Sequence, residues 1–180
     1  MNLAETTLSK LQSEDILVDV FTDHYDESLY GFIRNFNDKY LLLENYDDNG
    51  FYDGIIVFKR EDITRIKWDN NGIQSHAQLI TRHKQIEDFA NIKIDNLENI
   101  IKSISNSYNC LTIMIQDIES DWTIVGQLID MDDDTIIVNE FGTMSTLDRG
   151  MLMISSADIT RIGAGSIYEK NLLKTHIKNN

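Results

Sequence analysis

Apolar residues along this chain come in short runs separated by polar, acidic or glycine-containing segments, a spacing that predicts strands more than long helices. The runs cover residues 16–22, 28–36, 39–46 and 54–59, and Ile63 and Ile66 open a fifth strand. The same grammar returns at 111–116, 122–131, 134–141 and 150–155, and Ile159 and Ile162 open the corresponding fifth. Asn37-Asp38 and Asp132-Asp133 stand between the second and third run of each set. These residue types tolerate positive φ and suit tight turns. Helical spacing appears elsewhere. Leu3, Leu8 and Leu11 predict a helix over 2–13, and Asp95 with Glu98 reads as a capping box ahead of Leu97, Ile100, Ile101 and Ile104. Ser75-x-x-Gln78 and Ser166-x-x-Glu169 predict further helices over 75–90 and 166–178.

The two sets of strands are an internal repeat. Residues 62–66 and 158–162 both read Asp-Ile-Thr-Arg-Ile, displaced by 96. The match runs back to Gly54 and Gly150, each followed by four apolar residues. Upstream, Gly31, Ile33 and Phe36 meet Gly126, Leu128 and Met131 at an offset of 95. Five short strands with turn signals between them predict a small closed barrel. The expected fold is therefore mainly β with flanking helices (α+β). It comprises two tandem five-stranded SH3-like barrels, each with an N-terminal helix: the first over 1–68, a helical linker over 69–95, and the second over 96–180.

A helix followed by five strands, with a Gly-x-apolar second strand and an apolar strand–turn–strand later on, resembles the Sm-like (LSm) family. That family's first motif is roughly Gly-x-Leu-x-x-Phe-Asp. Gly31, Ile33 and Phe36 fit it, as do Gly126, Leu128, Met131 and Asp132. Phe58-Lys59-Arg60-Glu61-Asp62-Ile63 and Ile154-Ser155-Ser156-Ala157-Asp158-Ile159 follow the hydrophobic pattern of the second motif. The base-binding positions depart from it. The asparagine is replaced by Leu41 and Ile136, and the glycine of Arg-Gly by Arg60 and Ser156. Lys59 can stand in for the arginine in the first half, whereas Ser155 cannot do so well in the second. The resemblance implies barrels that associate through their fourth and fifth strands, and argues against the usual RNA chemistry.

The fourth strands support an interface on their own account. Ile55-Ile56-Val57-Phe58 and Met151-Leu152-Met153-Ile154 do not alternate. A strand with one wet face should alternate, so both faces are expected to be covered, with Ile55, Val57, Met151 and Met153 as interface residues.

Composition narrows the function. Thirty acidic and 16 basic side chains leave a formal charge of -14, which disfavours broad contact with phosphate backbones or anionic lipid. One cysteine, Cys110, excludes an intramolecular disulfide, and no signal-peptide or membrane-spanning run is visible. A cytoplasmic location is expected, and the Ile-, Asn-, Lys- and Asp-rich usage suggests a bacterial source. Average usage would give about nine prolines, and this chain has none, so proline-rich linkers are excluded.

No catalytic signature emerges and no cofactor is implied. Asp130-x-Asp132-x-Asp134 opens like a calcium loop, but Thr135 and Phe141 occupy the positions that need glycine and glutamate, so an acidic hairpin tip is expected. His76 and His83 lie seven apart with Glu87 one turn on. They are weak metal candidates without further ligands, and a solvated helix face is the plainer reading. Cys110 reads as a buried structural thiol. Lys59, Arg60, Arg65, Lys67 and the adjacent Trp68 mix basic and aromatic residues as nucleic-acid surfaces do. Two functions follow as expectations. The first is a non-enzymatic interaction or assembly module that self-associates or holds a protein partner. The alternative is an atypical RNA-binding protein using that basic cluster.

Overall fold

The computed structural model describes residues 2–22, 28–80, 89–115, 123–143 and 149–178. The chain divides into two units, Met1–Phe89 and Ala90–Asn180.

In the first unit, α1 (Leu3–Ser13) precedes β1 (Leu17–Phe21), β2 (Leu29–Phe36), β3 (Tyr40–Tyr46), β4 (Tyr52–Lys59), β5 (Arg65–Lys67) and α2 (Asn71–Leu79). Helix α1 starts where Asn2 Oδ1 accepts the Glu5 N–H at 2.9 Å, satisfying a backbone donor that the first turn leaves unpaired. Its Leu8 and Leu11 join Val18, Val20, Ile33, Leu43 and Phe58 in one core cluster. Leu17, Phe32, Tyr46 and Ile73 of α2 form a second. Val18 and Val20 thus serve one cluster and Leu17 the other, so β1 shows none of the wet-face alternation of a half-exposed strand.

The second unit repeats this plan: α3 (Leu97–Tyr108), β6 (Leu111–Met114), β7 (Thr123–Met131), β8 (Thr135–Glu140), β9 (Gly150–Ser155), β10 (Arg161–Ala164) and α4 (Ile167–Lys178). Ile100, Ile101 and Ile104 of α3 are buried, and α3 packs on β6, β7 and β10. Cys110, Val125, Phe141 and Leu172 of α4 form a further cluster.

The strands run antiparallel in the orders β5-β1-β2-β3-β4 and β10-β6-β7-β8-β9. The described strands lie in open sheet, not in two closed five-stranded barrels as the turn spacing predicted. No ladder joins β4 to β5, or β9 to β10, among the described residues. Closure needs the fifth strand to bridge the first and the fourth. β5 has three residues, and all three pair with β1.

The repeated sequence features each have a structural reason. Gly31 lies opposite Asn45 and Gly126 opposite Glu140. A Cβ on Gly31 would fall on the Glu44 carbonyl oxygen and 2.7 Å from Leu43 Cγ. A Cβ on Gly126 would fall on the Asn139 carbonyl oxygen and 2.6 Å from Val138 Cγ1. Three residues on, both second strands carry a bulge, which leaves Arg34 and Ile129 as the extra residue. At the following turn, Asn37 Oδ1 accepts the Lys39 and Tyr40 N–H groups at 2.8 Å. Asp132 Oδ1 does the same for Asp134 and Thr135 at 3.0 and 2.8 Å.

The identical pentapeptide also acts identically. After a single 3-10 turn (Arg60–Asp62; Ser156–Asp158), the threonine N–H and hydroxyl both donate to the last residue of the first strand. Thr64 binds the Phe21 carbonyl and Thr160 the Met114 carbonyl. The arginine that follows then pairs across the ladder with that same residue.

Two helix starts differ from expectation. α2 begins at Asn71 because Asn70 Oδ1 accepts the Ile73 N–H at 3.0 Å, while Ser75 sits inside the helix, bonded to the Asn71 carbonyl. For α3 the cap is Asn96, not Asp95, whose carboxylate instead accepts from the Asn99 side chain. The Ser166–Glu169 capping box forms reciprocally, at 3.1 and 2.9 Å.

Gly31→Ala and Gly126→Ala are each expected to destabilise the chain by about 1–3 kcal/mol, because strand backbone cannot recede from an added methyl. Urea unfolding checks this, with Gly72→Ala as a control: Gly72 has only the end of the Asn70 side chain within 4 Å of its would-be Cβ.

Candidate interaction surface

The two fourth strands have the same apolar run but different surroundings. Ile55 and Val57 are 1% and 2% exposed, and Phe58 is buried beside them. Their repeat equivalents Met151 and Met153 are 63% and 73% exposed. Of the four residues expected at an interface, Ile55 and Val57 are thus buried within the chain, whereas Met151 and Met153 are exposed. β9 is hydrogen-bonded along one side, to β8, and no other ladder reaches it among the described residues. Met153 pairs with Ile137 and Met151 with Asn139, so two methionines and an isoleucine share the outer face of this edge. Ile154 is buried on the inner face. Ile129, the bulge residue of β7, is a further exposed apolar side chain of this unit.

The basic cluster of the first unit is not one patch. The Arg60 guanidinium donates to Glu5 Oε1 at 2.7 Å and to the Asn37 carbonyl at 2.6 Å, and is already engaged. Lys59 lines a small cavity of about 250 Å³ with Asp38, Lys39, Tyr40 and Glu61. Arg65 and Lys67 lie over the Phe21 ring, at 4.2 and 4.4 Å from its centre. Trp68 is 44% exposed and turns to a separate cavity shared with α1 and α2. An alternating sequence brought these residues close in number, and the 3-10 turn after β4 separates them in space. The two repeated arginines both pack across the ladder: Arg65 on Phe21, and Arg161 with Nε 2.6 Å from Met114 Sδ.

His76 is buried, contrary to the solvated helix face expected for it. It stacks on Tyr30 with ring centres 4.1 Å apart and planes at 21°, and its Nε2 has no hydrogen-bond partner among the described residues. His83 and Glu87 lie outside the described residues. Among those described, no three His, Cys, Asp or Glu side chains gather as a metal would need. The Asp130–Asp134 segment is a hairpin tip whose central carboxylate serves the turn backbone. No described helix is long and apolar enough to cross a membrane.

Sequence reasoning missed two polar networks. Arg34 bonds Asp15 at 2.8 Å and Glu44 at 2.5 Å, and Glu44 also accepts the Tyr46 hydroxyl at 2.8 Å. Buried Glu169 accepts from the Thr112 hydroxyl as well as from its capping box. The only available signal was a charged residue at a bulge position and a glutamate three residues after serine. Comparison with family models, with curated proteins and with solved structures found no match to this chain.

Among the described residues Cys110, Asp19 and Tyr40 carry raised ionisation, Tyr40 through burial and the Glu61 charge. Burial pushes the Cys110 thiol up to about 11, and the Glu169 carboxylate adds to the shift against a smaller opposing effect of Lys170. Thiolate is the reactive form, so alkylation by iodoacetamide at pH 7.5 is expected to be at least about 100-fold slower than for a free thiol until urea unfolds the chain. Burial also raises the Asp19 carboxyl above its usual value, against the Ser28 hydroxyl at 2.5 Å and the charges of Lys67 and Arg65. The folded state therefore binds this proton more tightly than the unfolded one. Stability from Asp19 is full below the unfolded value near 3.8 and falls as pH rises through the raised folded value. Asp19→Asn is expected to melt no lower than the parent at pH 7, and the difference between the two should shrink or reverse by pH 4.

Proposed function

We propose that this chain is a non-catalytic assembly module, and that it joins to a second copy of itself through the open β9 edge. The observation that carries the reading is the contrast between Ile55 and Val57, buried, and Met151 and Met153, exposed, at equivalent positions of one repeat. An uncharged, apolar edge strand is a ready template for pairing with another strand and is usually blunted by charge or proline. β9 carries neither. Two β9 strands running antiparallel would pair with a two-fold relation, the commonest closed arrangement. Methionine suits such a contact because its flexible, polarisable side chain adapts to a partner.

The proposal includes kinship with the Sm-like family. It is supported by a helix followed by five strands in each unit, with Gly31 and Gly126 on the second strand. It does not include closed barrels. The RNA reading has less support, since Arg60 is committed to Glu5 and the formal charge is -14.

Two copies with this charge repel one another, and salt screens that repulsion. Sedimentation is therefore expected to show a dimer that strengthens as ionic strength rises. The double variant Met151→Asp/Met153→Asp is expected to be monomeric throughout with an unchanged melting temperature. A parent chain that stays monomeric at millimolar concentration and high salt would refute self-association.

A further inference from the structure

The first unit holds a cavity of about 600 Å³ framed by α1, the start of β1, the end of β5 and α2. Its apolar lining comes from Leu11, Ile16, Leu17, Ile73 and Ala77. Cavities of about 300–1,000 Å³, apolar with a few convergent polar groups, are the usual form of small-molecule sites. Trp68 supplies an aromatic surface. It is held between β5 and the Asn70 cap of α2, with Asp69 between them in the left-handed region at φ 55°. Its indole remains 44% exposed, and its N–H makes no hydrogen bond among the described residues.

The lining also carries two ionisable residues of opposite sign, in different states. The Asp69 carboxylate accepts from Gln74 Nε2 at 3.1 Å. The Lys10 ammonium has no hydrogen bond or ion pair among the described residues, whereas Arg34, Arg60 and Lys102 are all matched with carboxylates. Of these two groups, the Lys10 ammonium is the one left without a partner among the described residues, in a chain whose formal charge is -14. One accessible cation with a carboxylate nearby disfavours a multiply charged phosphate ester.

From these features we propose that the first unit binds a small aromatic monocarboxylate. The ring lies on Trp68 over the apolar floor, where offset or edge-on aromatic contact adds to burial, and the carboxylate meets Lys10. This site is independent of the β9 edge, so its success or failure leaves the assembly reading untouched.

The test titrates the full chain with 2-naphthoate and with its uncharged amide by calorimetry. Indole N–H resonances are followed in parallel, with Trp122→Phe assigning the Trp68 signal. The expected result is one site per chain, a shift of the Trp68 signal, and naphthoate binding about fivefold tighter than the amide, as a partly exposed ion pair of about 1 kcal/mol gives. Lys10→Met should erase that preference without weakening the amide. Ala77→Phe should abolish both while the chain still melts cooperatively. No binding of either probe, equal binding of both by the parent chain, or binding that leaves the Trp68 resonance in place would overturn the proposal.

Discussion

At Gly31 and Gly126 the second strand of each unit passes so close to the third that a neighbouring carbonyl oxygen occupies the place where a side chain would begin. That approach allows β2 to lie on β3, and β7 on β8, with their inner residues in contact. The bulge follows three residues later in both units, then the Asx-type turn that starts the next strand. The pentapeptide then returns the chain to the end of the first strand through two hydrogen bonds from one threonine. Local backbone constraints repeated in the same order make two copies of one strand plan from sequences that agree at few other positions.

The copies differ in what surrounds that frame. At the bulge, the first unit places Arg34, which draws Asp15 and buried Glu44 into an ion-paired network. The second places exposed Ile129 at the same position. The fourth strand is buried in one unit and presents two methionines to water in the other. Buried charge is tolerated only where it is paired and hydrogen-bonded. The Arg34–Glu44–Tyr46 arrangement therefore commits the first unit to internal packing, while the second keeps an apolar edge available for contact.

Strand positions were legible because short apolar, β-branched runs are bounded by the Asn, Asp or Gly that turns need. The observed strands begin and end within about two residues of the expected ones. Helix α2 was misplaced because Ser75-x-x-Gln78 resembled a start, whereas the cap is decided by which side chain reaches a free N–H, here that of Asn70. The interaction surface was half legible. A non-alternating strand signals that both faces have something to meet, but not whether the chain itself supplies it. The cavity beside Trp68 left no sequence signal, because its lining comes from residues 6–17 and 68–77.

By itself, then, the sequence determined the repeat, its strands and turns and the absence of a recognisable catalytic motif, since each depends on residues near one another in number. Tertiary structure decided the rest. It left the sheet open where spacing suggested closed barrels, because closure requires pairing between the fourth and fifth strands that no local pattern encodes. It also divided the basic cluster, since Arg60 finds Glu5 from the other end of the first unit. The environment of a side chain is set by which distant segments the fold brings against it, and that information is not local to any stretch of the chain.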